Sequence, residues 1–443
     1  MEKLGDRLTP ARVLVLGFLA LIIIGTVLLI LPVSTYQGIS ILDALFTATS
    51  AVCVTGLVVQ DTGTFFTPFG QAVILILIQV GGLGFMTAGT LIFIILGKRI
   101  TLKERLVIQE ALNQLTITGL VRLIKKIIIF TFIIEGIGAV ILAFRFIPLW
   151  GWEKGAYYSI FHAVSAFCNA GFDLMGNFQS LTGFADDYLV RGVIMSLFII
   201  GGLGFTVLAE FQVKRRFKLL SLHSKIVISA TIFLLLLGTI TICILEYTNS
   251  HTLEGLGFFQ RVSNSLFTSA TARTAGFNTI PTDMLQDSTL YFLLSLMFVG
   301  ASPASTGGGI KTTTFSIIII AVISIIKGQE DVFIYKRRLP FYILNKALSI
   351  VVISVMIIFI ISIFLTITED FSFMGVLFEA VSAFGTVGLS TGITPDLSPL
   401  GRALIIFTMF TGRVGPLTLT LALAQRLKKK APFRYPEERI LVG

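Results

Sequence analysis

The sequence predicts an all-α integral membrane protein in which four pseudo-repeats surround a central pore. Its 443 residues are 55% hydrophobic and only 13% charged, whereas soluble domains carry about 25% charged residues. A short segment that ends in glycine also recurs four times between long apolar stretches, at 44–56, 159–171, 265–276 and 376–388. Because internal repetition indicates a repeat architecture, each unit is predicted to supply one quarter of a pore built from a single chain.

Eight apolar segments approach the ~20 residues that a spanning helix needs. They cover 13–31, 71–97, 122–147, 190–213, 224–247, 289–326, 344–368 and 400–427. The first has 19 residues without a charge and no small-residue cleavage site, so it is predicted to be a permanent span and not a signal peptide. Eight transmembrane helices place both termini on the same side of the membrane.

The repeated segment is too short to cross the bilayer, and we expect a re-entrant half-helix of about three turns followed by a non-helical strand. Irregular backbone at membrane depth persists only where it is buried in protein or lines a water-filled path. Four such strands therefore predict a shared aqueous path. The strands comprise Val54, Thr55 and Gly56; Asn169, Ala170 and Gly171; Thr274, Ala275 and Gly276; and Thr386, Val387 and Gly388.

The glycines at the ends of these strands indicate which kind of solute the path would carry. Glycine adopts backbone conformations closed to other residues, which lets carbonyl groups turn toward an axis. Rings of backbone carbonyls replace the hydration shell of the ion in potassium filters. The half-helices would also direct their partially negative C-terminal ends at the axis, so both effects favour a dehydrated cation.

The second apolar segment of each pair carries a glycine-containing mark, at 81–85, 201–205, 300–303 and 412–415. Glycines in membrane helices serve close helix packing, and a hinge or pore-lining role is the alternative. The marks extend the repeat to an outer helix, a half-helix, a loop and an inner helix. The predicted boundaries are 1–120, 121–223, 224–343 with a broken inner helix and gate loop, and 344–443 with a cytoplasmic C-terminal tail.

The sixth apolar segment is interrupted at 301–314, where a proline and three consecutive glycines cannot sustain a helix. The glycines resemble a phosphate-binding loop, but Ile310 separates Gly309 from Lys311, which disfavours nucleotide binding there. Lys311 would either add positive charge to a barrier or reach the cytoplasmic surface.

Four further polar residues lie in or beside the apolar segments. Arg413 is an intramembrane charge and therefore a functional candidate; the alternative is a structural pair with Glu135. His162 and Glu379 occupy equivalent positions in two half-helices and are predicted to support the filter scaffold.

Charge is distributed unevenly between the two predicted sides. One side carries 26 basic residues and the other six, so the positive-inside rule makes the former cytoplasmic, with both termini there. The opposite side carries 14 acidic residues, which raise the local cation concentration. Basic loops serve orientation and lipid headgroups, and nucleic-acid binding is not needed to explain them. Neither the scattered thiols nor Glu135 and Arg413 make a catalytic or metal-binding set, so no enzyme is predicted.

The four-fold unit, residues 382–391, the broken segment and Arg413 together resemble the Trk/Ktr/HKT superfamily of potassium transporters, and most of all the KtrB-type membrane subunits of bacterial Ktr systems. The resemblance implies that the four strands bind K+ through their backbone carbonyls. Some sodium-preferring plant relatives have serine where this chain has Gly56. The implied gate below the filter comprises Ser305, Thr306, Gly307, Gly308, Gly309, Lys311 and Arg413.

The same resemblance implies a regulated uptake system in the plasma membrane of a bacterium. K+ would be the substrate, and Na+ either an activating or a coupled ion. The membrane subunit would be a homodimer in contact with lipids and with a cytosolic KtrA-like ring, through which alone a nucleotide would act. The alternative is an inverted-repeat secondary transporter for another cation or small solute. Two crossings per unit keep successive units in the same orientation, which disfavours that alternative.

Overall fold

The computed structural model describes residues 9–84, 86–87, 89–90, 101–111, 119–329 and 331–423. In the first unit the helices are α1 (Pro10–Ile30), α2 (Ile41–Cys53), α3 (Pro68–Leu83) and the connecting α4 (Leu102–Ala111). Proline at the first position and a threonine N-cap begin both α1 and α3. A serine N-cap begins α2, so local sequence fixes where each of these helices starts.

The second unit has the same order of elements. Its helices are α5 (Leu120–Trp150), α6 (Trp152–Phe167), α7 (Tyr188–Leu203) and α8 (Phe205–Lys214). α7 and α8 form a pair bent by 94°. The Asp187 carboxylate accepts hydrogen bonds from the first backbone amides of α7 and so caps it.

In the third unit the second helix is divided. The unit comprises α9 (Leu222–Leu245), α10 (Phe258–Thr271), α11 (Asp287–Phe298) and α12 (Thr312–Ile326). A two-stranded antiparallel hairpin follows, made of β1 (Phe333–Ile334) and β2 (Arg337–Arg338). Residues 299–311 between α11 and α12 are not helical, as the sequence predicts.

The fourth unit comprises α13 (Phe341–Thr368), α14 (Phe373–Gly385), α15 (Pro399–Val414) and α16 (Pro416–Leu423). The short helices α2, α6, α10 and α14 are the buried centre of the protein. The third residue of each repeated segment is a fully buried phenylalanine, namely Phe46, Phe161, Phe267 and Phe378. The long helices α1, α5, α9 and α13 expose apolar side chains outward, as helices in contact with lipid do.

The described residues form an all-α membrane protein, but the helices do not divide into eight simple spans. Four of them, α1, α5, α9 and α13, are long and apolar enough to cross a membrane alone, and a fifth span arises if the bent pair α7 and α8 counts as one. The second apolar segment of each unit is broken, which the sequence predicts for the third unit only. Part of the first of these predicted segments, 71–97, lies outside the described residues.

Glycine is the reason for three of the breaks. Gly84, Gly204 and Gly415 have φ of 81°, 95° and 91°, with ψ between 132° and 136°. This combination of positive φ and large ψ is essentially restricted to glycine. Each helix therefore ends where a residue with a side chain would have let it continue.

In three of the four marks, close packing and the helix break fall on different glycines. The first glycine of the mark packs directly against a backbone carbonyl near the end of the half-helix in its own unit. The pairs are Gly81 with Val52, Gly201 with Phe167 and Gly412 with Phe384. The last glycine of the same three marks makes the break, and the hinge role stays a prediction.

Candidate ion pathway

The four glycines at the ends of the repeated segments meet in a closed ring. A Cβ atom built on any of them would lie within 3.0 Å of the carbonyl oxygen of the residue before the glycine in the next unit, at 2.5 Å for Gly56, 3.0 Å for Gly171 and 2.7 Å for Gly276. The contacts run from unit one to two, two to three, three to four and four back to one. The pairs are Gly56 with Ala170, Gly171 with Ala275, Gly276 with Val387, and Gly388 with Thr55.

The backbone of each strand is hydrogen-bonded to its own half-helix. The amide of Thr55 donates to the Ser50 carbonyl oxygen at 2.8 Å, and the Gly56 amide donates to the Ser50 hydroxyl at 3.1 Å. Because C=O and N–H point in opposite directions across a trans peptide, these bonds turn the carbonyls of Val54 and Thr55 away from the half-helix. The amides of Ala170, Ala275 and Val387 bond in the corresponding way to Ser165, Thr271 and Ser382.

The first residue of each strand shares an uncommon backbone conformation. Val54, Asn169, Thr274 and Thr386 have φ of 50°, 57°, 76° and 51°, a region that few residues other than glycine enter. Because this conformation recurs at four equivalent positions, the four strands begin with the same backbone geometry. All twelve strand residues named by the sequence come together here, and nearly all their surface is buried.

A cavity of about 250 Å³ lies on the side of the ring where the chain continues past the glycines. We call it the outer cavity. All four ring glycines line it, together with the carboxylates of Asp61, Asp173 and Asp283. Acidic residues at this mouth attract cations, although burial raises the pKa of Asp173 to about 7, so its carboxyl group is only partly ionised at neutral pH.

His162 and Glu379 hold the segments that follow the strands. His162 Nδ1 lies 2.7 Å from the Tyr158 carbonyl oxygen, and Nε2 accepts from the Leu174 amide at 3.3 Å. A neutral imidazole with its proton on Nδ1 satisfies both contacts. The Thr394 hydroxyl donates to the Glu379 carboxylate. Both side chains therefore contact protein groups beyond the ring.

On the other side of the ring, residues 299–311 lie against the first residues of the strands. The Thr306 hydroxyl lies 2.9 Å from Asn169 Oδ1 and 3.2 Å from the Phe167 carbonyl oxygen. The Gly308 amide donates to the Thr386 hydroxyl at 3.0 Å. A Cβ on Gly307 would overlap the Thr274 hydroxyl, so the glycines allow the loop to approach the strands.

Arg413 joins this loop to the first unit. Its guanidinium donates to the carbonyl oxygens of Thr306 and Gly81, and to that of Gly82 at 3.2 Å. Lys311 folds back onto its own loop, with Nζ 2.7 Å from the Gly307 carbonyl oxygen. Arg413 and Lys311, together with Ser305, Gly307 and Gly309, line a second cavity of about 240 Å³, which we call the inner cavity.

The alternative pairing of Arg413 with Glu135 is not present among the described residues. Glu135 accepts instead from Gln79 Nε2 at 3.3 Å and from the Cys168 thiol at 3.8 Å. Cys53 and Cys168 are buried, and all three cysteines are free.

Two sets of residues at this site are not evident from the sequence. One is the set of glycine breaks described above, since a glycine in a membrane helix equally indicates packing. The other is a set of hydroxyls in the half-helices, where Ser and Thr ordinarily bond back to the preceding turn. Only the equivalent positions of these hydroxyls in the four copies could have singled them out, namely Ser50, Ser165, Thr271 and Ser382.

The four-unit fold and the closed ring between two cavities define a membrane transport protein. The chain matches the TrkH family, described as cation transport protein, over residues 9–435. It therefore belongs to this family of cation transport proteins, which are not enzymes.

Curated relatives align over almost the whole chain. The chain is 48% identical to Ktr system potassium uptake protein B of Bacillus subtilis, over 99% of this chain and 97% of the relative. It is 40% identical to the potassium/sodium uptake protein NtpJ of Enterococcus hirae, over 100% and 99% respectively. Among solved structures, the potassium transporter TrkH of Vibrio parahaemolyticus superposes with a TM-score of 0.74 at 18% identity, covering 96% of this chain and 86% of that one. The last comparison supports the fold.

Proposed function

We propose that this chain is the potassium-translocating membrane subunit of a regulated, channel-like uptake system. The observation that carries the proposal is the closed ring of four glycines and four neighbouring carbonyl oxygens. Carbonyl rings of this kind substitute for the hydration shell of K+. The names of the relatives, a potassium uptake protein and a potassium/sodium uptake protein, support K+ as the substrate.

The selectivity filter consists of the twelve strand residues, with K+ held by their backbone carbonyls. Hydrogen bonds from the strand amides to the half-helices support this assignment, because they turn carbonyls such as those of Val54 and Thr55 away from the half-helix. Asp61 and Asp283, which line the outer cavity, gather cations at the entrance.

The gate consists of Ser305, Thr306, Gly307, Gly308, Gly309, Lys311 and Arg413. Its support is the position of residues 299–311 directly below three of the four strands, where Thr306 and Gly308 contact Asn169 and Thr386. The three carbonyl contacts of Arg413 hold that loop across the path. A positive charge there also opposes the passage of cations.

The subunit works in the plasma membrane of a bacterium, with both termini in the cytoplasm and as a homodimer. A cytosolic KtrA-like ring supplies nucleotide control. The relatives named as parts of a Ktr system support a partner of this kind. Na+ acts as an activating or coupled ion, in line with the sodium in the name of one relative. The same order of elements in all four units does not favour inverted repeats.

The test is ion uptake by potassium-deficient cells that express this chain, with and without a candidate cytosolic partner. We expect saturable K+ uptake that exceeds Na+ uptake and that increases with the partner. A membrane-inserted chain that leaves K+ uptake at the background of untransformed cells in both conditions would contradict the proposal.

A further inference from the structure

Each half-helix contributes one buried hydroxyl to the strand that follows it. The four residues, which we call the bracing hydroxyls, are each seventh in their repeated segment and at most 1% exposed. They are Ser50, Ser165, Thr271 and Ser382. The hydroxyl of a helical Ser or Thr ordinarily donates to the carbonyl oxygen four positions earlier. Thr49, the neighbour of Ser50, makes such a bond, to the Leu45 carbonyl oxygen at 2.7 Å.

The bracing hydroxyls bond forward instead, and they do so in two ways. In units one and four the hydroxyl accepts from the amide of the ring glycine, at 3.1 Å for Ser50 and Gly56 and at 3.2 Å for Ser382 and Gly388. This bond turns the carbonyl before the glycine away from the half-helix.

In units two and three the hydroxyl donates to the carbonyl of the phenylalanine after the glycine. The distance is 2.6 Å both for Ser165 and Phe172 and for Thr271 and Phe277. The hydroxyl therefore fixes the strand on the far side of the glycine. The four units, alike in sequence, are braced as two neighbouring pairs.

We propose that the bracing hydroxyls are positioning residues that set the discrimination between K+ and Na+. The inference rests on the proposed function and deepens it. In the fixed-size account of ion selectivity, a carbonyl ring favours the larger ion because it cannot contract around the smaller one. The backbone bonds between each strand and its half-helix involve residues before the glycine, such as the bond from the Thr55 amide to the Ser50 carbonyl oxygen. A hydroxyl bond at the glycine, or directly after it, holds the strand at the width set by its half-helix.

The chain offers a matched set of variants on one helix, α10. Thr271→Val keeps the shape and removes the hydroxyl, whereas Thr271→Ser keeps the hydroxyl and removes a methyl group. Thr268→Val removes a buried hydroxyl that bonds to the Asn264 carbonyl oxygen, one turn earlier on the same helix. Ser165→Ala is the second brace variant, for the case that Thr271→Val does not insert.

K+ and Na+ uptake are measured in potassium-deficient cells and divided by the amount of inserted chain. We expect Thr271→Val to lower the ratio of the half-saturating Na+ and K+ concentrations by about fivefold, the factor that one neutral hydrogen bond represents. Thr271→Ser and Thr268→Val should keep the wild-type ratio. An unchanged ratio in Thr271→Val, or an equal loss in Thr271→Ser, would overturn the proposal, and Ser165→Ala is judged by the same criterion.

Hydrogen exchange of the purified full chain separates failure of the brace from failure of the proposed function. Ser50→Ala should speed exchange of the Gly56 amide at least fivefold, whereas Thr49→Val should leave it unchanged. If this amide exchanges at the wild-type rate in Ser50→Ala, the Ser50 hydroxyl does not hold the Gly56 amide, and the proposed positioning role is contradicted even where transport is selective. If wild-type chain does not prefer K+, the proposed function fails, and the assignment of discrimination to these hydroxyls is overturned with it, whatever the exchange rates.

Discussion

The carboxylate of Asp43 accepts a charge-assisted hydrogen bond from the guanidinium of Arg402, which lies 359 positions further along the chain. Asp43 is in the first turn of α2 and Arg402 in the first turn of α15, so the pair joins the first unit to the fourth. The second bond of Arg402, to the Pro395 carbonyl oxygen at 2.8 Å, ties the same side chain to the loop of its own unit. The pair thus lies where the ring closes on itself.

Asp43→Asn should destabilise the protein by about 2 kcal/mol. Removal of one partner from a fully buried pair costs about 3–5 kcal/mol. The cost is smaller here because the Arg402 and Asp43 side chains are 21% and 10% exposed. Thermal unfolding of purified protein in detergent measures the change. Asp331→Asn is the control, because the Asp331 and Arg338 side chains are 37% and 69% exposed, and such pairs contribute under about 1 kcal/mol. Equal effects of the two variants would contradict the closing role of Asp43.

Gly56→Ser should weaken the preference for K+ over Na+. A Cβ at Gly56 would stand 2.5 Å from the Ala170 carbonyl oxygen, and the φ of +89° is strained for any residue with a side chain. The neighbouring carbonyl must therefore shift, and the ring changes width. The measurement is K+ and Na+ uptake by the variant, with Gly192→Ser as the control because a Cβ there meets no atom within 4 Å. Unchanged affinity for both ions would remove Gly56 from the filter.

Deletion of residues 306–311 should raise cation flux and reduce its dependence on a cytosolic partner. The deletion removes the contacts of Thr306 with Asn169 and of Gly308 with Thr386, and with them the obstruction that we propose below the strands. Thr306→Val keeps the loop and loses only hydroxyl contacts, so a smaller increase is expected. A deletion variant that inserts in the membrane but transports at background level would show that the loop is not a barrier.

Arg413→Ala should increase maximal K+ uptake, with less change in apparent affinity because the filter itself is untouched. The variant removes both a positive charge and the bonds that hold Thr306 and Gly81 together. Arg413→Lys keeps the charge but cannot span the same carbonyls, so an intermediate rate is expected. Uptake is divided by inserted protein, since a purely structural role predicts lower yield at unchanged flux per molecule. Glu135→Gln is the control, because Glu135 bonds to Gln79 and Cys168 and not to Arg413.

The sequence predicts that twelve residues form four equivalent strands, because the short glycine-ended pattern is informative only when it is repeated. A single glycine after two small residues carries no information, but four in register do, and all four lie in one ring. The order of units around that ring, and the contact between Gly388 and Thr55 that closes it, depend on tertiary packing. No local pattern encodes them.

Among the breaks in the second helices, the sequence predicts only the one at 301–314, where a proline and three glycines exclude a continuous helix. Gly84, Gly204 and Gly415 each stand in an apolar segment that could equally have continued as a packed helix. Their positive φ depends on how the two halves of the helix are held by the rest of the protein. The sequence does not reveal the bracing hydroxyls, because a serine in a helix has a local partner available, and only the structure shows that it bonds elsewhere.

Arg413 occurs once, and this follows from the linkage of four units in one polypeptide. Its equivalents in the first two units are Gly82 and Gly202. A pore assembled from four identical subunits displays every side chain in four copies, so an arginine below its axis would bring four positive charges together or none. Four units in one chain can each have a different residue at the equivalent position. The charge under the ring can therefore be set in steps of one, and a single codon is enough to change it.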